Sequence, residues 1–147
     1  MKKYQAIVYL LFLILTSCGT DPMKDFALEP NDGRFDRYRA YFEKHTDHDT
    51  SYIPIYYGKN SAIASCGFTV VDGRWNFKHI TVNRGRFEEL TAMWRFAVIA
   101  HELIHCHLEL NHVPNERGRL VLMAETLDIS WDLSSDELIE ALQEYAR

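Results

Sequence analysis

His101, Glu102 and His105 are spaced as His-Glu-x-x-His. On a helix this spacing places two imidazoles one turn apart on the same face, with a carboxylate beside them. Two imidazole nitrogens and a nearby carboxylate are the minimal set for a zinc ion (Zn2+) that activates water for hydrolysis. The motif therefore predicts a hydrolytic metal site in which His101 and His105 bind the metal and Glu102 is the general base.

A catalytic zinc site normally has three protein ligands and leaves the fourth position to water. Two residues are candidates for the third ligand, His112 and Glu125. Asn111 can adopt the left-handed conformation that ends a helix, and Pro114 prevents its continuation, so the chain could fold back and present His112. Glu125 suits a carboxylate delivered from a second helix. His112 is the favoured ligand and Glu125 is the alternative.

A long helix must position the motif, because residues 86–108 are apolar nearly all round a helical projection. This pattern predicts a buried helix that runs through the middle of the domain. His107 lies only two residues beyond His105, which turns it away from the face that His101 and His105 share. We therefore exclude His107 as a metal ligand.

The rest of the chain contains both strand-like and helical patterns. Aromatic and β-branched runs bounded by turn residues predict strands over residues 52–57, 62–71 and 77–82, and helical spacing predicts helices over residues 34–45 and 134–145. Asp72-Gly73 can close a tight hairpin between the second and third strands. Pro54 indicates that the first strand lies at an edge of the sheet. An extended peptide substrate could bind along a strand edge, for which we select residues 77–82.

The segment from His101 to His112, followed by Met123, resembles the metzincin branch of zinc metallopeptidases. It is most similar to small bacterial lipoprotein metallopeptidases with a His-Glu-Leu-Gly-His-Cys core. The resemblance implies an α+β, zincin-like single domain, in which a small mixed sheet packs on a long active-site helix with N- and C-terminal helices. It also implies that His101, His105 and His112 bind zinc, that Glu102 is the base, and that Met123 lies in the tight turn below the metal.

Three positions depart from this pattern. Leu108 and Asn111 stand where metzincins have a glycine and the third histidine, and Ile104 replaces the glycine of the most similar proteins. The turn after the helix must therefore be built differently. With Glu125 as the third ligand, the chain would instead resemble the gluzincin branch.

The N-terminus has the layout of a lipoprotein signal peptide. Lys2 and Lys3 precede an apolar run that is too short to span a bilayer, and the run ends in Leu-Thr-Ser-Cys-Gly, which resembles the bacterial lipobox. The prediction is a signal peptide over residues 1–17, a lipid-bearing Cys18, a tether over residues 18–33 and one domain over residues 34–147. The protein is then extracytoplasmic and anchored by its lipid, with the bacterial outer membrane as the expected location.

Charge and cysteine content narrow the function further. The formal net charge is −5 and no basic stripe is interleaved with aromatic residues, so nucleic acid is excluded as a partner. An oxidising compartment permits Cys66 and Cys106 to form a disulfide, although two buried free thiols remain the alternative. These features predict a membrane-anchored zinc metallopeptidase acting on peptides or proteins. The alternative is a non-catalytic, zinc-containing surface lipoprotein that acts as a binding module.

Overall fold

The computed structural model describes residues 33–71, 75–114, 120–124 and 126–146. In chain order these residues form α1 (Asp36–Thr46), β1 (Ile55–Tyr57), β2 (Ala64–Val71), β3 (Trp75–Val82), α2 (Arg84–Glu88), α3 (Ala92–Leu103), a π-helical turn (Ile104–Leu108) and α4 (Ser135–Gln143). The predicted α+β class is confirmed. The predicted signal peptide, Cys18, Glu125 and all but the last residue of the predicted tether lie outside the described residues. None of the described helices combines the length and the apolar composition that a membrane span requires.

The three strands form one mixed sheet in the order β1-β3-β2. β1 runs parallel to β3, and β2 pairs with β3 in the antiparallel direction, with Cys66 opposite Ile80. The expected pairing of the second and third strands and the edge position of the strand after Pro54 are therefore confirmed. Because residues 80–82 of β3 pair with both β1 and β2, they cannot accept an added strand, so a peptide cannot bind along the whole of residues 77–82 as we expected. No described strand covers the outer edge of β2.

The predicted long helix over residues 86–108 is wrong in its first third, because the structure divides it. Asn83 caps α2 by accepting a hydrogen bond from the Arg86 amide, and the helix ends at Glu88. Leu90 is buried, and Thr91 then adopts extended torsion angles (φ −63°, ψ 162°) as the N-cap of α3. Threonine is a common N-cap residue, and extended torsion angles are typical of that position. After Leu103 the helix widens into the π-helical turn.

The second half of α3 is buried all round, as the apolar pattern predicts. Trp94, Ala97, Ile99 and Leu103 are each 1% exposed or less. α3 packs against α1, β2 and α4, so it lies between the sheet and the other helices. Burial of each large apolar side chain stabilises the fold by roughly 1.5–3 kcal/mol. His101, in the last turn of α3, and His105, in the π-helical turn that follows, are therefore attached to a firmly packed helix.

α4 begins with a capping box. The Ser134 hydroxyl oxygen accepts a hydrogen bond from the Glu137 amide, and the Glu137 carboxylate accepts one from the Ser134 amide. These two bonds satisfy backbone donors that have no partner within the helix. Leu138 and Leu142 then bury one face of α4 against the core, as the sequence predicts.

A disulfide joins β2 to the π-helical turn. The sulfur atoms of Cys66 and Cys106 are 2.02 Å apart, and their Cα atoms are 5.6 Å apart. Cys106 is fully buried. The bond therefore ties the edge strand of the sheet to the helical segment that contains His105.

We expect the disulfide to contribute substantially to stability. The double variant Cys66→Ser/Cys106→Ser should lower the free energy of unfolding by about 4 kcal/mol, because the bond closes a loop between residues 40 apart in sequence. Urea unfolding of the wild type and the variant measures this difference. Reduction of the wild type with dithiothreitol should give the same loss. A loss below about 1 kcal/mol would show that packing alone holds the strand on the helix.

Candidate metal centre

Three histidine side chains converge on one point. The Nε2 atom of His105 is 3.1 Å from Nε2 of His101 and 3.0 Å from Nε2 of His112, and the remaining side of the triangle is 3.2 Å. His101 comes from the last turn of α3, His105 from the π-helical turn, and His112 from the extended segment that follows. The structure thus brings together the three histidines that the sequence selects.

Backbone carbonyls fix which nitrogen of two rings bears the proton. Nδ1 of His105 donates a hydrogen bond to the carbonyl oxygen of Leu110 at 2.7 Å, and Nδ1 of His101 donates one to the carbonyl oxygen of Leu122. A carbonyl oxygen only accepts, so Nδ1 holds the hydrogen and Nε2 keeps its lone pair in the neutral ring. Burial lowers the pKa of His101 to about 4 and also lowers the pKa of His105. Both rings are therefore neutral at physiological pH, with a lone pair aimed at the shared point.

A left-handed residue brings His112 into place. Glu109 has φ +58° and ends the π-helical turn, and its carboxylate accepts a hydrogen bond from the Lys78 ammonium group. Our prediction that Asn111 adopts this conformation was wrong by two residues. A non-glycine residue in this region costs roughly 1–2 kcal/mol. The Val113 amide then donates to the Met123 carbonyl at 2.7 Å, which anchors the residue next to His112.

Met123 lies in a tight turn beside the histidine cluster. The Ala124 amide donates to the Val121 carbonyl at 3.0 Å, so Leu122 and Met123 are the central residues of the turn. The Leu122 carbonyl is the acceptor for His101, and the Met123 side chain is 1% exposed. The turn therefore orients a histidine through its backbone while the methionine fills the core. Its assignment as the methionine turn of a metzincin stays a prediction.

The donor set fits a divalent transition metal. Tetrahedral zinc with Zn–N distances of about 2.0–2.1 Å requires nitrogen atoms roughly 3.3 Å apart. The observed separations of 3.0–3.2 Å are close to this value. A cation at their meeting point would also remove the repulsion between lone pairs. Because His101 is buried, His105 half-buried and His112 exposed, the fourth side of the site opens to solvent.

Glu102 lies in the same cleft as the histidines. The cleft has a volume of about 660 Å³ and is lined by His101, Glu102, His105 and His112 together with residues of β2 and the segment after the π-helical turn. One carboxylate oxygen, Oε2, accepts a hydrogen bond from the Cys66 amide at 2.6 Å. Burial raises the pKa of Glu102 to about 7, while the Cys66 amide acts in the opposite direction. The carboxylate is thus held by the edge strand and exchanges its proton near neutral pH.

The other histidines lie outside this cluster. Nδ1 of His107 contacts the Tyr52 hydroxyl at 2.8 Å, and its Nε2 contacts Nδ1 of His48 at 3.3 Å. The exclusion of His107 as a ligand therefore agrees with its position. Across the described ranges, the three-histidine group is the single set of three or more side chains placed to hold a metal ion.

Several functional groups of the site were missed by sequence reasoning. The carbonyls of Leu110 and Leu122 and the amide of Cys66 are backbone groups, and any residue type could supply them. No residue pattern could have indicated them. The sequence shows Cys106 beside His105, but it does not show that the amide of its disulfide partner Cys66 binds Glu102.

Substitution of single histidines should distinguish those that bind the metal from those that do not. We expect wild-type protein to bind one zinc ion and His112→Ala to weaken zinc binding by more than about 100-fold, which exceeds the usual effect of losing an outer hydrogen-bond partner. His107→Ala is the matched control and should keep wild-type affinity. Equilibrium dialysis with elemental analysis measures both. Unchanged affinity in His112→Ala would identify another third ligand, and Glu125→Gln would then be expected to weaken binding.

Comparison of the chain with protein-family models, with curated proteins and with solved structures finds no match in any of the three. The resemblance to metzincins therefore rests on the motif residues themselves. The geometry of the histidine cluster and of Glu102 is the basis for any statement about function.

Proposed function

We propose that this protein is a zinc-dependent metallopeptidase with a zincin-like, metzincin-related fold, anchored to the membrane as a lipoprotein. His101, His105 and His112 would hold the zinc ion, and Glu102 would be the general base. The observation that carries the proposal is the triangle of Nε2 atoms, 3.0–3.2 Å on a side, beside a buried carboxylate in an open cleft.

The ligand set supports zinc over metals that prefer oxygen. Three neutral imidazoles are borderline-soft nitrogen ligands, which suit zinc and disfavour magnesium or calcium. Three protein ligands with an accessible fourth side are typical of catalytic zinc, whereas structural zinc is normally enclosed by four. When bound, zinc polarises the scissile carbonyl and lowers the pKa of water at the site.

Glu102 would move the proton during hydrolysis. Its carboxylate would accept a proton from the attacking water and deliver it to the leaving amine. The Cys66 amide holds Oε2, which leaves the second oxygen for this transfer because a carboxylate has about four lone-pair sites. The disulfide of Cys66 limits how far this amide can move relative to the helix. The edge strand thus orients the base.

The edge of β2 is the surface on which an extended peptide would bind. The Cys66 amide points away from β3 and toward the cleft, so Ala64 and Phe68, two residues away on either side, present their main-chain groups along the same edge. Ala64, Cys66 and Phe68 all line the cleft, and Phe68 is 64% exposed. A peptide paired with this edge would lie beside the three histidines with its amide bonds accessible.

One observation favours the non-catalytic alternative, a zinc-containing surface lipoprotein that acts as a binding module. The hydrogen bond from Cys66 gives Glu102 a structural role that requires no chemistry. A closed structural site, however, needs no carboxylate of this kind beside it. The side chain that distinguishes the two functions is therefore Glu102.

Substitution of Glu102 tests the enzymatic function. Glu102→Gln keeps an oxygen that can accept from the Cys66 amide but cannot take a proton, so it should lower kcat by about 10²–10⁴-fold while one zinc ion stays bound. Hydrolysis of a mixed peptide library, analysed by mass spectrometry, measures turnover. Glu140→Gln is the matched control, because Glu140 is an exposed glutamate of α4 that does not line the cleft, and it should retain activity within about threefold. Equal activity of Glu102→Gln and wild type would contradict the proposal.

Membrane anchoring has its own test. Cys18→Ser should block lipid attachment and move the protein from the membrane fraction to the soluble extracytoplasmic fraction, since stable anchoring depends on the acyl chains. Fractionation of cells followed by immunoblotting measures the distribution. Continued membrane association of the processed variant would contradict lipidation at Cys18 without affecting the metal site.

A further inference from the structure

A second cavity, of about 520 Å³, lies where the start of α1, the end of β1, α2 and the first turn of α3 meet. Its lining residues are Arg34, Arg37, Tyr38, Tyr57, Phe87, Glu88 and Arg95. Cavities of this size commonly bind small molecules. None of these residues belongs to the histidine cleft, so the cavity is a separate site.

Guanidinium groups surround the aromatic rings of this cavity. The guanidinium carbons of Arg34 and Arg84 lie 5.1 Å and 4.6 Å from the centre of the Tyr57 ring. That of Arg37 lies 4.6 Å from the Tyr38 ring, and the Arg37 side chain also donates a hydrogen bond to the Tyr38 hydroxyl. Each contact is within the range of cation–π attraction, which holds the charged groups at defined positions.

The aromatic floor is rigid. Tyr57 packs edge-on against Phe35 at 5.0 Å, and Tyr38 packs edge-on against Phe87 at 5.6 Å and against Phe96 at 4.8 Å. Phe35, Tyr38 and Phe87 are almost completely buried. The arginines that stack on these rings come from different parts of the chain. Because the rings cannot move freely, the arginines keep their mutual arrangement.

The residues around this cavity carry a net positive charge, whereas the whole chain carries a net negative charge. Arg34, Arg37 and Arg95 line the cavity, and Arg84 stacks on the Tyr57 ring. Glu88 is the acidic residue among the described lining residues. The whole chain has a formal net charge of −5, so a cationic cavity does not follow from its composition. Each guanidinium has five N–H donors in a planar fork, a geometry that matches the oxygens of an anion.

Arg95 is fixed on the wall of this cavity. Its Nε atom is buried away from solvent, so this nitrogen does not face the cavity. The same side chain donates to the Glu88 carbonyl and lies 6.0 Å from the Phe87 ring, which fixes its direction along the cavity wall.

We infer that this cavity binds an anion that contains a phosphate group. A carboxylate offers two oxygens and is satisfied by one or two arginines, whereas a phosphate presents three or more oxygens to guanidiniums that approach from several sides. The cavity volume exceeds that of phosphate alone, which leaves room for an attached organic group. The ligand is therefore a phosphate ester.

Two sources can supply such an ester, a soluble metabolite or the headgroup of an anionic phospholipid. Arg34 directly follows Gly33, the first described residue. With a lipid at Cys18, the intervening residues could span at most about 50 Å, so the cavity would stay within reach of the bilayer surface. The chemistry that recognises the phosphate is the same for both sources.

Isothermal titration of the full-length protein tests the inference. The probes are inorganic phosphate, glycerol 3-phosphate and dihexanoylphosphatidylglycerol below its micelle concentration, with dihexanoylphosphatidylcholine for comparison. We expect saturable binding of at least one phosphate ester, weakened about tenfold or more by Arg34→Gln and by Arg37→Gln, because each removes charged hydrogen bonds. Both residues are exposed, so neither substitution should unfold the protein.

Arg86→Gln is the matched control, because Arg86 is an exposed arginine of α2 that does not line the cavity, and it should leave affinity unchanged. Preference for glycerol 3-phosphate would support a soluble ligand, and preference for the phosphatidylglycerol probe would support a headgroup. Absence of saturable binding up to about 10 mM would overturn the inference. If Arg34→Gln and Arg37→Gln bind the probes as tightly as the wild type, the probes bind elsewhere, for example at the metal centre, and the inference is also overturned.

Discussion

The convergence of three imidazole nitrogens is the constraint on which the site depends. Nε2 atoms 3.0–3.2 Å apart, with their lone pairs facing one another, repel unless a cation lies between them. The rings stay in place because carbonyls of Leu110 and Leu122 accept their Nδ1 protons. Both carbonyls belong to segments that follow the helix. The path of the chain after Leu108 is therefore coupled to the histidine cluster, and a metal ion bound there would stabilise that path.

The site combines a rigid half with an accessible half. His101 and Glu102 belong to a helix that is buried all round, and the Cys66 amide connects Glu102 to the edge strand. The disulfide then joins the same strand residue to the π-helical turn that contains His105. His112, in contrast, is exposed and reaches the cluster from an extended segment. This arrangement fixes Glu102 and two of the three histidines while it leaves one side of the cluster open to solvent.

Part of the fold and of the site could be predicted because it depends on local periodicity. The four-residue separation of His101 and His105 places them together on any helix, and the turn residues after β2 imply a hairpin. The break at Thr91 could not be predicted, because an apolar helical pattern continues through it and tertiary packing of Leu90 decides the outcome. The left-handed residue was placed at Asn111 from propensity, yet the π-helical turn ends earlier, at Glu109. A π-helical turn has no sequence signature of its own, and such turns are frequent at functional sites.

The direction of the central helix places the two sites at opposite electrostatic ends. Backbone dipoles make the N-terminus of a helix positive and its C-terminus negative, with effects confined largely to the first and last turns. Arg95 lies in the first turn of α3, at the cavity to which we assign a phosphate ester, and His105 lies in the π-helical turn that continues the same helix. An anion at the first end and a metal cation at the second are each stabilised by the helix, whereas exchanged occupants would be opposed by it. The direction of α3 thus favours an anion at the cavity and a cation at the histidine cluster, independently of the side chains that line the two sites.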